Sequence, residues 1–484
     1  MSGVDCRMPE ERTTMLNKLF KLDESKTTVP TEVVAGVTTF MTMAYILAVN
    51  PNILSAAGIP RGGVFVATAV AAVMGTLLMA FLTNYPFVLA PGMGLNAFLA
   101  YGVVLGMGYS WQFALLAVFV EGIVFLALSL TPVRESVFNV IPLSLKKAVA
   151  AGIGLFLCLV ALHTSGVVVA NPATLVDFID FHSTPFRSQG VCAFFAIVGT
   201  LLTGCMLARG MKGAILLGIV ATWALGMAAQ ATGLYVPDPA VGRFSLYPSV
   251  TFAGVADSFR EFGQTFGAIF NPSSWTHGTG EAVRSGWTLV RSLDFFVVMF
   301  AFFFMDLFDT LGTLIGVSIK AGFLDRDGRL PRIKGALCAD AVATSVGAAL
   351  GTSTTTTYME SAAGVAAGGR TGLAAVAAAG LFAIAILLAP VFLAVPAFAT
   401  APALVAVGYM MLSSVADIDW SDVGEGIPAF VTLAWMPFTY SISDGIMLGI
   451  ISYTVINALS GRFRRVHWIM YVLAAVFVAK YALM

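Results

Sequence analysis

Two carboxylates three residues apart, Asp306 and Asp309, sit in the run Phe302–Thr310, inside a stretch that is otherwise almost wholly apolar. At that spacing they share one face of a helix. In a membrane-spanning helix each carboxylate costs about 2.5–3.5 kcal/mol, and packing alone does not explain two of them with aromatics beside them. A carboxyl withdrawn from water can bind and release a proton during a cycle. Asp340 and Glu121, the latter within Phe119–Ile123, are further acidic residues in apolar surroundings. Both also fit a plainer role as polar contacts between helices, and Asp309 could serve to bond backbone freed near Gly312.

Two other segments hold polar and chain-breaking residues where a regular span would be apolar. Tyr85–Gly108 contains Pro86, Pro91, Gly92 and Gly94; Gly351–Gly369 contains Thr352, Ser353 and four consecutive threonines ahead of Tyr358. Non-helical backbone at membrane depth must be buried in protein or line a cavity, so these segments are where a site is expected. In the first, Tyr85–Leu89 reads as extended, Pro91–Gly94 as a turn and Leu95–Ala100 as the start of a helix. In the second, Thr352–Thr357 reads as extended and Tyr358–Ser361 opens a helix. The N-termini of the two half-helices, at Gly94 and Leu95 and at Tyr358, Met359 and Ser361, would present free N–H groups and partial positive charge. Asn96 and Glu360 fall in their first turns. Asn donates and accepts, and Glu accepts or can be protonated, which suits a flat heterocycle with alternating N–H and C=O groups. Each feature has a blander reading: a threonine run is commonly a solvated loop, Glu360 could cap a helix, and Asn96 could pair with unwound backbone. The case rests on their conjunction.

The surrounding chain says what must position them. Of 484 residues, 58% are hydrophobic and 11% charged, with a mean hydropathy of +0.89. Soluble domains carry roughly 25% charge, so lipid must solvate most of this surface. A net charge of +0 indicates neither nucleic acid nor a highly acidic partner. The four histidines and five cysteines (Cys6, Cys158, Cys192, Cys205, Cys338) show no paired ligand spacing, so no metal, cofactor or disulfide framework is expected. His163, His182 and His277 fall in or beside outside loops, and Phe302–Phe304 reads as core or lipid-facing surface.

A spanning helix needs about 20 apolar residues. Candidates begin near Val33, Val64, Trp111, Lys147, Val191, Gly213, Leu293, Ala336, Leu373, Ala399, Ala429 and Gly445. With the two broken segments this predicts an all-α membrane protein of about 14 crossings. Residues 1–32 are polar and do not resemble a signal peptide; they read as a cytoplasmic segment. A first seven-span repeat occupies 33–231, an extracytoplasmic loop 232–291 and a second repeat 292–460. A final apolar helix, 461–484, spans or lies in the interface. Basic residues set the orientation. With the N-terminus inside, the cytoplasmic segments collect Arg7, Arg12, Lys18, Lys21, Lys26, Arg134, Lys146, Lys147, Arg209, Lys212, Lys320, Arg326, Arg329, Arg332, Lys334, Arg370, Arg462, Arg464 and Arg465. The outside receives Arg61, Arg187, Arg243, Arg260, Arg284 and Arg291. Ala67–Gly75 matches Ala339–Gly347 at five of nine positions, and Gly213–Val220 resembles Gly445–Ile451 in the corresponding place. Seven spans per half place the second copy in the opposite orientation, an inverted repeat of the kind secondary transporters use.

At Gly36–Leu54, Ala90–Phe98, the Asp306/Asp309 helix and Gly351–Gly364 the sequence resembles the nucleobase–cation symporter family 2, and within it the adenine/guanine/hypoxanthine permeases. The likeness runs nearly end to end. It implies fourteen spans in two inverted repeats, spans one to four and eight to eleven forming a core domain and the rest a gate. It also implies that Asn96, Asp306 and Glu360 contact a purine nucleobase, with Asp309 supporting them and Asp340 in the polar network. The second half-helix, Tyr358–Gly364, lacks the Gln-Asn pair of the xanthine- and urate-type branch.

The expected function is therefore purine uptake with protons across the inner membrane by alternating access, with Asp306 or Glu360 holding the coupled proton. A homodimer is compatible with this reading. An intramembrane aspartyl protease would need its aspartates on different helices and a Gly-x-Gly-Asp motif, which is missing. A sulfate-type anion transporter shares the architecture but would favour cationic or neutral residues between the half-helices.

Overall fold

Helix starts are written into the sequence by short polar side chains. Thr28, with Pro30 just after it, accepts from the Thr31 N–H; Ser110 accepts from Phe113, Thr371 from Leu373, Ser441 from Asp444 and Asp422 from Gly424. Each satisfies one of the N–H groups that a helix start leaves free. The computed structural model describes residues 15–131, 142–171, 174–237, 245–248, 252–278, 284–323 and 330–483. Cys6 and six of the arginines used for orientation (Arg7, Arg12, Arg134, Arg243, Arg326 and Arg329) lie outside the described residues.

The elements that position the site are α1 (Val29–Met43), α2 (Ile46–Ser55), α3 (Arg61–Thr83), β1 (Leu89–Pro91), α4 (Met93–Ala97), which continues as a π-helix over Phe98–Gly106, and α5 (Trp111–Leu130). After these come α6 (Leu143–Thr164), α7 (Val191–Ala208), α8 (Ala214–Ala231), α9 (Phe252–Thr265), α10 (Leu293–Ala321) and α11 (Ile333–Leu350). The chain ends with β2 (Thr355–Thr357), α12 (Ser361–Ala366), α13 (Gly372–Ala385), α14 (Ala397–Leu412), α15 (Val423–Phe438), α16 (Ile442–Leu459) and α17 (Trp468–Leu483). Among the described residues eleven helices are long and apolar enough to cross a membrane. The α4–π-helix unit, α15 and α17 are shorter, and α15 contains Pro428 and Pro437. This is a mostly helical, multi-pass membrane protein. The segment expected as an extracytoplasmic loop contains α9, whose Glu261 accepts from the Gly62 N–H at the start of α3 at 2.6 Å.

Packing falls into two groups. α3 packs on α11 and α13, α5 on α10 and α11, and α1 on α13. In the other group α6 packs on α14 and α15, α7 on α8 and α14, and α15 on α16, with α17 against α16. The α6–α14 crossing is backbone to backbone. A Cβ on Gly154 would lie 2.6 Å from the Gly408 carbonyl oxygen, and one on Gly408 2.4 Å from that of Gly154. Small residues let membrane helices approach this closely, where dispersion contacts must replace the hydrophobic effect.

At one end of the second group, Asp422 accepts from Arg462 and Arg465, both at 2.6 Å, and Arg465 also reaches Glu425 at 3.1 Å. Ser144, at the start of α6, donates to Glu425. The Arg465 and Arg462 guanidinium groups hold the Asp422 carboxyl at about 2, below the usual carboxylate range. A depressed folded-state value adds stability above the unfolded carboxylate range and loses it as pH falls toward 2. Asp422→Asn is therefore expected to lower the melting temperature of purified protein by a few degrees at pH 7. The difference should close on acidification between the ordinary aspartate value and about 2, and shrink in high salt. Thermal unfolding across pH checks this.

Candidate functional site

β1 and β2 pair antiparallel inside the first group, with Leu89 opposite Thr357, Ala90 opposite Thr356 and Pro91 opposite Thr355. The flanking bonds Gly92 N–H to Thr354 O (2.9 Å) and Tyr358 N–H to Val88 O (3.0 Å) fix the alternation, so Ala90–Thr356 is the hydrogen-bonded pair between them. Pro91 has no N–H to give and occupies a position where none is needed. The outward-pointing groups are satisfied by the preceding helices. Leu89 N–H donates to Thr76 Oγ1 of α3 at 3.0 Å and Thr355 N–H to Thr344 Oγ1 of α11 at 3.3 Å, and the Thr357 N–H lies near the Asp340 carboxyl. Unpaired backbone is not tolerated in lipid, and this ladder accounts for it.

The strands sit later in the first segment than the sequence indicated: Leu89–Pro91 is the strand, and the helix has begun by Met93. In the second segment Glu360 is the N-cap of α12, which starts at Ser361. Ser361 Oγ accepts from the Val88 N–H at 3.0 Å and Tyr358 Oη donates to the Pro91 carbonyl, so the second half-helix is tied to the first strand. Gly94 is required by close approach: a Cβ there would lie 2.4 Å from Ile153 Cγ2 of α6, placing the first half-helix at the seam between the two helix groups. Leu95 is buried and Met359 is 52% exposed.

The acidic residues fall into two layers. In the outer one, Asp309 and Glu360 are half-buried and are electrostatic neighbours. Glu360 Oε1 accepts from Tyr45 Oη at 2.7 Å. Tyr45 is itself buried, in the break between α1 and α2. Asp309 Oδ2 lies 3.7 Å from the position a Cβ on Gly92 would take. Asn96 completes this layer: its Nδ2 makes a long 3.4 Å contact to the Pro91 carbonyl, and its buried Oδ1 has no partner. Asn50, missed in the sequence, donates to Thr68 at 2.7 Å and to Thr352 at 3.0 Å.

The inner layer holds Asp306, Asp340 and Glu121, all fully buried. Thr310 Oγ1 is 2.9 Å from Asp340 Oδ2, 3.3 Å from Asp306 Oδ1 and 2.6 Å from Thr356 Oγ1. The structure thus sets Asp309 beside Glu360 and Gly92, places Asn96 one turn further along the helix that Gly92 opens, and joins Asp306 to Asp340 through Thr310. Phe302, Phe303 and Phe304 are buried core. Tyr45 and Thr310 carry no sequence signal beyond being polar groups in apolar runs. A separate groove of about 240 Å³, lined by apolar side chains such as Val124, Phe300 and Leu473, offers a heterocycle nothing to bond. Among the described residues no cluster of three or more His, Cys, Asp or Glu is arranged to hold a metal ion.

Residues 30–448 match the family model Xan_ur_permease, the Permease family. The chain belongs to this family, the nucleobase–cation symporter 2 permeases. The permease is 39% identical to the guanine/hypoxanthine permease PbuO of Bacillus subtilis over 464 residues, 95% of this chain and 98% of the relative. It is 40% identical to the adenine permease AdeQ of Escherichia coli over 465 residues, 96% of each. In fold it is similar to the transmembrane domain of the cyanobacterial bicarbonate transporter BicA, with a TM-score of 0.57 at 14% identity, covering 87% of this chain and 97% of that one. It is a membrane transporter and not an enzyme.

Proposed function

We propose that this permease takes up purine nucleobases of the adenine, guanine and hypoxanthine class together with protons. The cargo identity draws on the names of its relatives. The observation that carries it is the pair of half-helices tied together by the strand ladder: one opens on a half-buried Glu360 oriented by Tyr45, and the other carries an Asn96 whose buried carbonyl oxygen has no partner. A purine edge offers N–H donors to the carboxylate and both donors and acceptors to the amide. Asp309, beside Gly92, is positioned to contact the same ligand, and Asp306 and Asp340 support it from behind.

In this reading fourteen spans form two inverted repeats. The core comprises α1–α5 with α10–α13, and the gate α6–α8 with α14–α16. Two-fold packing supports it: α5 lies on α11 as α13 lies on α3, α6 on α15 as α14 on α7, and α7 on α8 as α15 on α16. The protein lies in the inner membrane with a cytoplasmic N-terminus. Protonation of a buried acid from outside neutralises the site, the purine docks, the core moves against the gate, and the proton leaves to the cytoplasm.

The second reading, anion transport, is favoured by the fold neighbour and disfavoured by the carboxyls at the site. Thermal-shift measurement of purified protein decides between them. Adenine, guanine or hypoxanthine at about 100 times its dissociation constant should stabilise by about 2.7 kcal/mol; uracil and sulfate should not. Stabilisation by sulfate or bicarbonate alone overturns the proposal.

A further inference from the structure

The inner acidic layer holds more hydrogen-bond contacts than its hydroxyl protons can supply. Thr310 Oγ1 has three oxygen neighbours, Asp306 Oδ1, Asp340 Oδ2 and Thr356 Oγ1, and one proton to donate. Thr356 can donate its own proton to Thr310, Thr310 can donate to one aspartate, and the remaining contact needs a proton on a carboxyl. A second shortfall lies on α5. Glu121 is fully buried and neither of its carboxyl oxygens meets a donor, yet its side chain is within hydrogen-bonding reach of Asp306. Two carboxyls can bond each other only through a proton. The second oxygen of Asp306 and the second of Asp340 are also buried without a partner. Among the described residues no Lys, Arg or His contacts any of the three.

Among the described residues the groups facing this layer are few. They are Glu121 from α5, Asp306, Asp309 and Thr310 from α10, Asp340 from α11, and Thr356 with the Thr357 N–H from β2. Glu360 and Tyr45 stand in the outer layer. Unbalanced carboxylates buried together cannot all remain charged.

We propose that Glu121, Asp306 and Asp340 form a proton-binding site distinct from the purine site, and that the Glu121–Asp306 pair holds the proton that drives uptake. This rests on the proton-coupled reading above. Asp306 and Asp309 stand one turn apart on α10, and Thr356 lies on the strand leading to Glu360. Charge and hydrogen bonding in the inner layer therefore reach the purine site through two covalent links. The proton arrives on a carboxyl oxygen of the pair, is shared between the two, and leaves to water when the core has moved; no other bond is made or broken.

The test uses purified wild-type and Glu121→Gln protein in liposomes. At one proton per purine, a pH step of one unit should drive wild-type accumulation of about tenfold, and Glu121→Gln should reach a ratio of about one. Labelled-adenine exchange at equal pH and the adenine-induced thermal shift should persist in Glu121→Gln. Wild-type accumulation by Glu121→Gln overturns the proposal, as does folded Glu121→Gln that has lost adenine binding. Accumulation driven by sodium with no response to pH overturns it while leaving purine transport intact. Wild-type protein that binds no purine overturns the transport reading as well. Should Glu121→Gln not fold, Glu121→Asp carries the test: a displaced pH midpoint of uptake supports the site, and an unchanged midpoint overturns it.

Discussion

Glu360→Ala is expected to abolish purine uptake while the protein still reaches the membrane. In the proposed reading the Glu360 carboxylate accepts two N–H groups from a purine edge. Hydrogen bonds to a charged group contribute about 1.5–3 kcal/mol each, so their loss costs about 3–6 kcal/mol, or roughly a hundredfold to ten-thousandfold in transport efficiency. The substitution also leaves the buried Tyr45 hydroxyl without the acceptor it meets at 2.7 Å. Graded variants separate the contributions. Glu360→Gln keeps a carbonyl oxygen for Tyr45 but turns the other oxygen into a donor, and should lose about ten- to a hundredfold. Tyr45→Phe leaves the carboxylate in place but less firmly oriented, and should lose about tenfold. Initial rates of labelled hypoxanthine uptake, normalised to membrane expression in cells lacking their own purine permeases, measure all three. Wild-type uptake by Glu360→Ala would remove the binding role of this residue.

The broken segments were legible because the constraint behind them is strong. Pro91, Gly92 and Gly94 crowded into four positions disfavour a regular helix there, and a run of β-branched threonines between apolar spans favours extended backbone. What the sequence could not supply was register. The first extended stretch reads as Tyr85–Leu89 because Pro91 looks like a turn residue, whereas the strand ends on Pro91. A proline is tolerated there since the residue opposite Thr355 needs no N–H for the ladder, a fact set by the partner strand far away in the chain.

Asp306 and Asp309 pose a similar problem. Spacing of three puts both on one face, but the rotation of α10 decides which meets the gap. That rotation is fixed by Thr310 against Asp340 and Thr356, contacts between elements that no local pattern encodes. Tyr45 was hidden for the same reason: its hydroxyl matters because α1 breaks just before it and aims it at Glu360. Glu121 was visible as a buried acid on α5, though only its approach to Asp306 distinguishes it from an ordinary polar contact between helices.

Thr356→Pro should destroy the folded transporter, whereas Thr356→Val should leave it assembled. Ala90 and Thr356 form the central hydrogen-bonded pair of a two-strand ladder, so proline at 356 removes the N–H that the Ala90 carbonyl accepts. Away from water, an unsatisfied backbone group of this kind costs about several kcal/mol. The flanking bonds at Gly92 and Tyr358 would have to absorb the distortion. Those bonds fix the entry of α4 and α12, so the loss reaches Asn96 and Glu360 together. Valine at the same position keeps the ladder and loses only the hydroxyl that meets Thr310 at 2.6 Å. A drop of about tenfold in uptake is expected from it, with normal chromatographic behaviour. Size-exclusion profiles and uptake rates of the two variants test the difference. If Thr356→Pro yields a monodisperse and active protein, the paired strands do not hold the half-helices in place. A ladder of only three residue pairs can matter this much because the membrane offers no water to substitute for a missing bond.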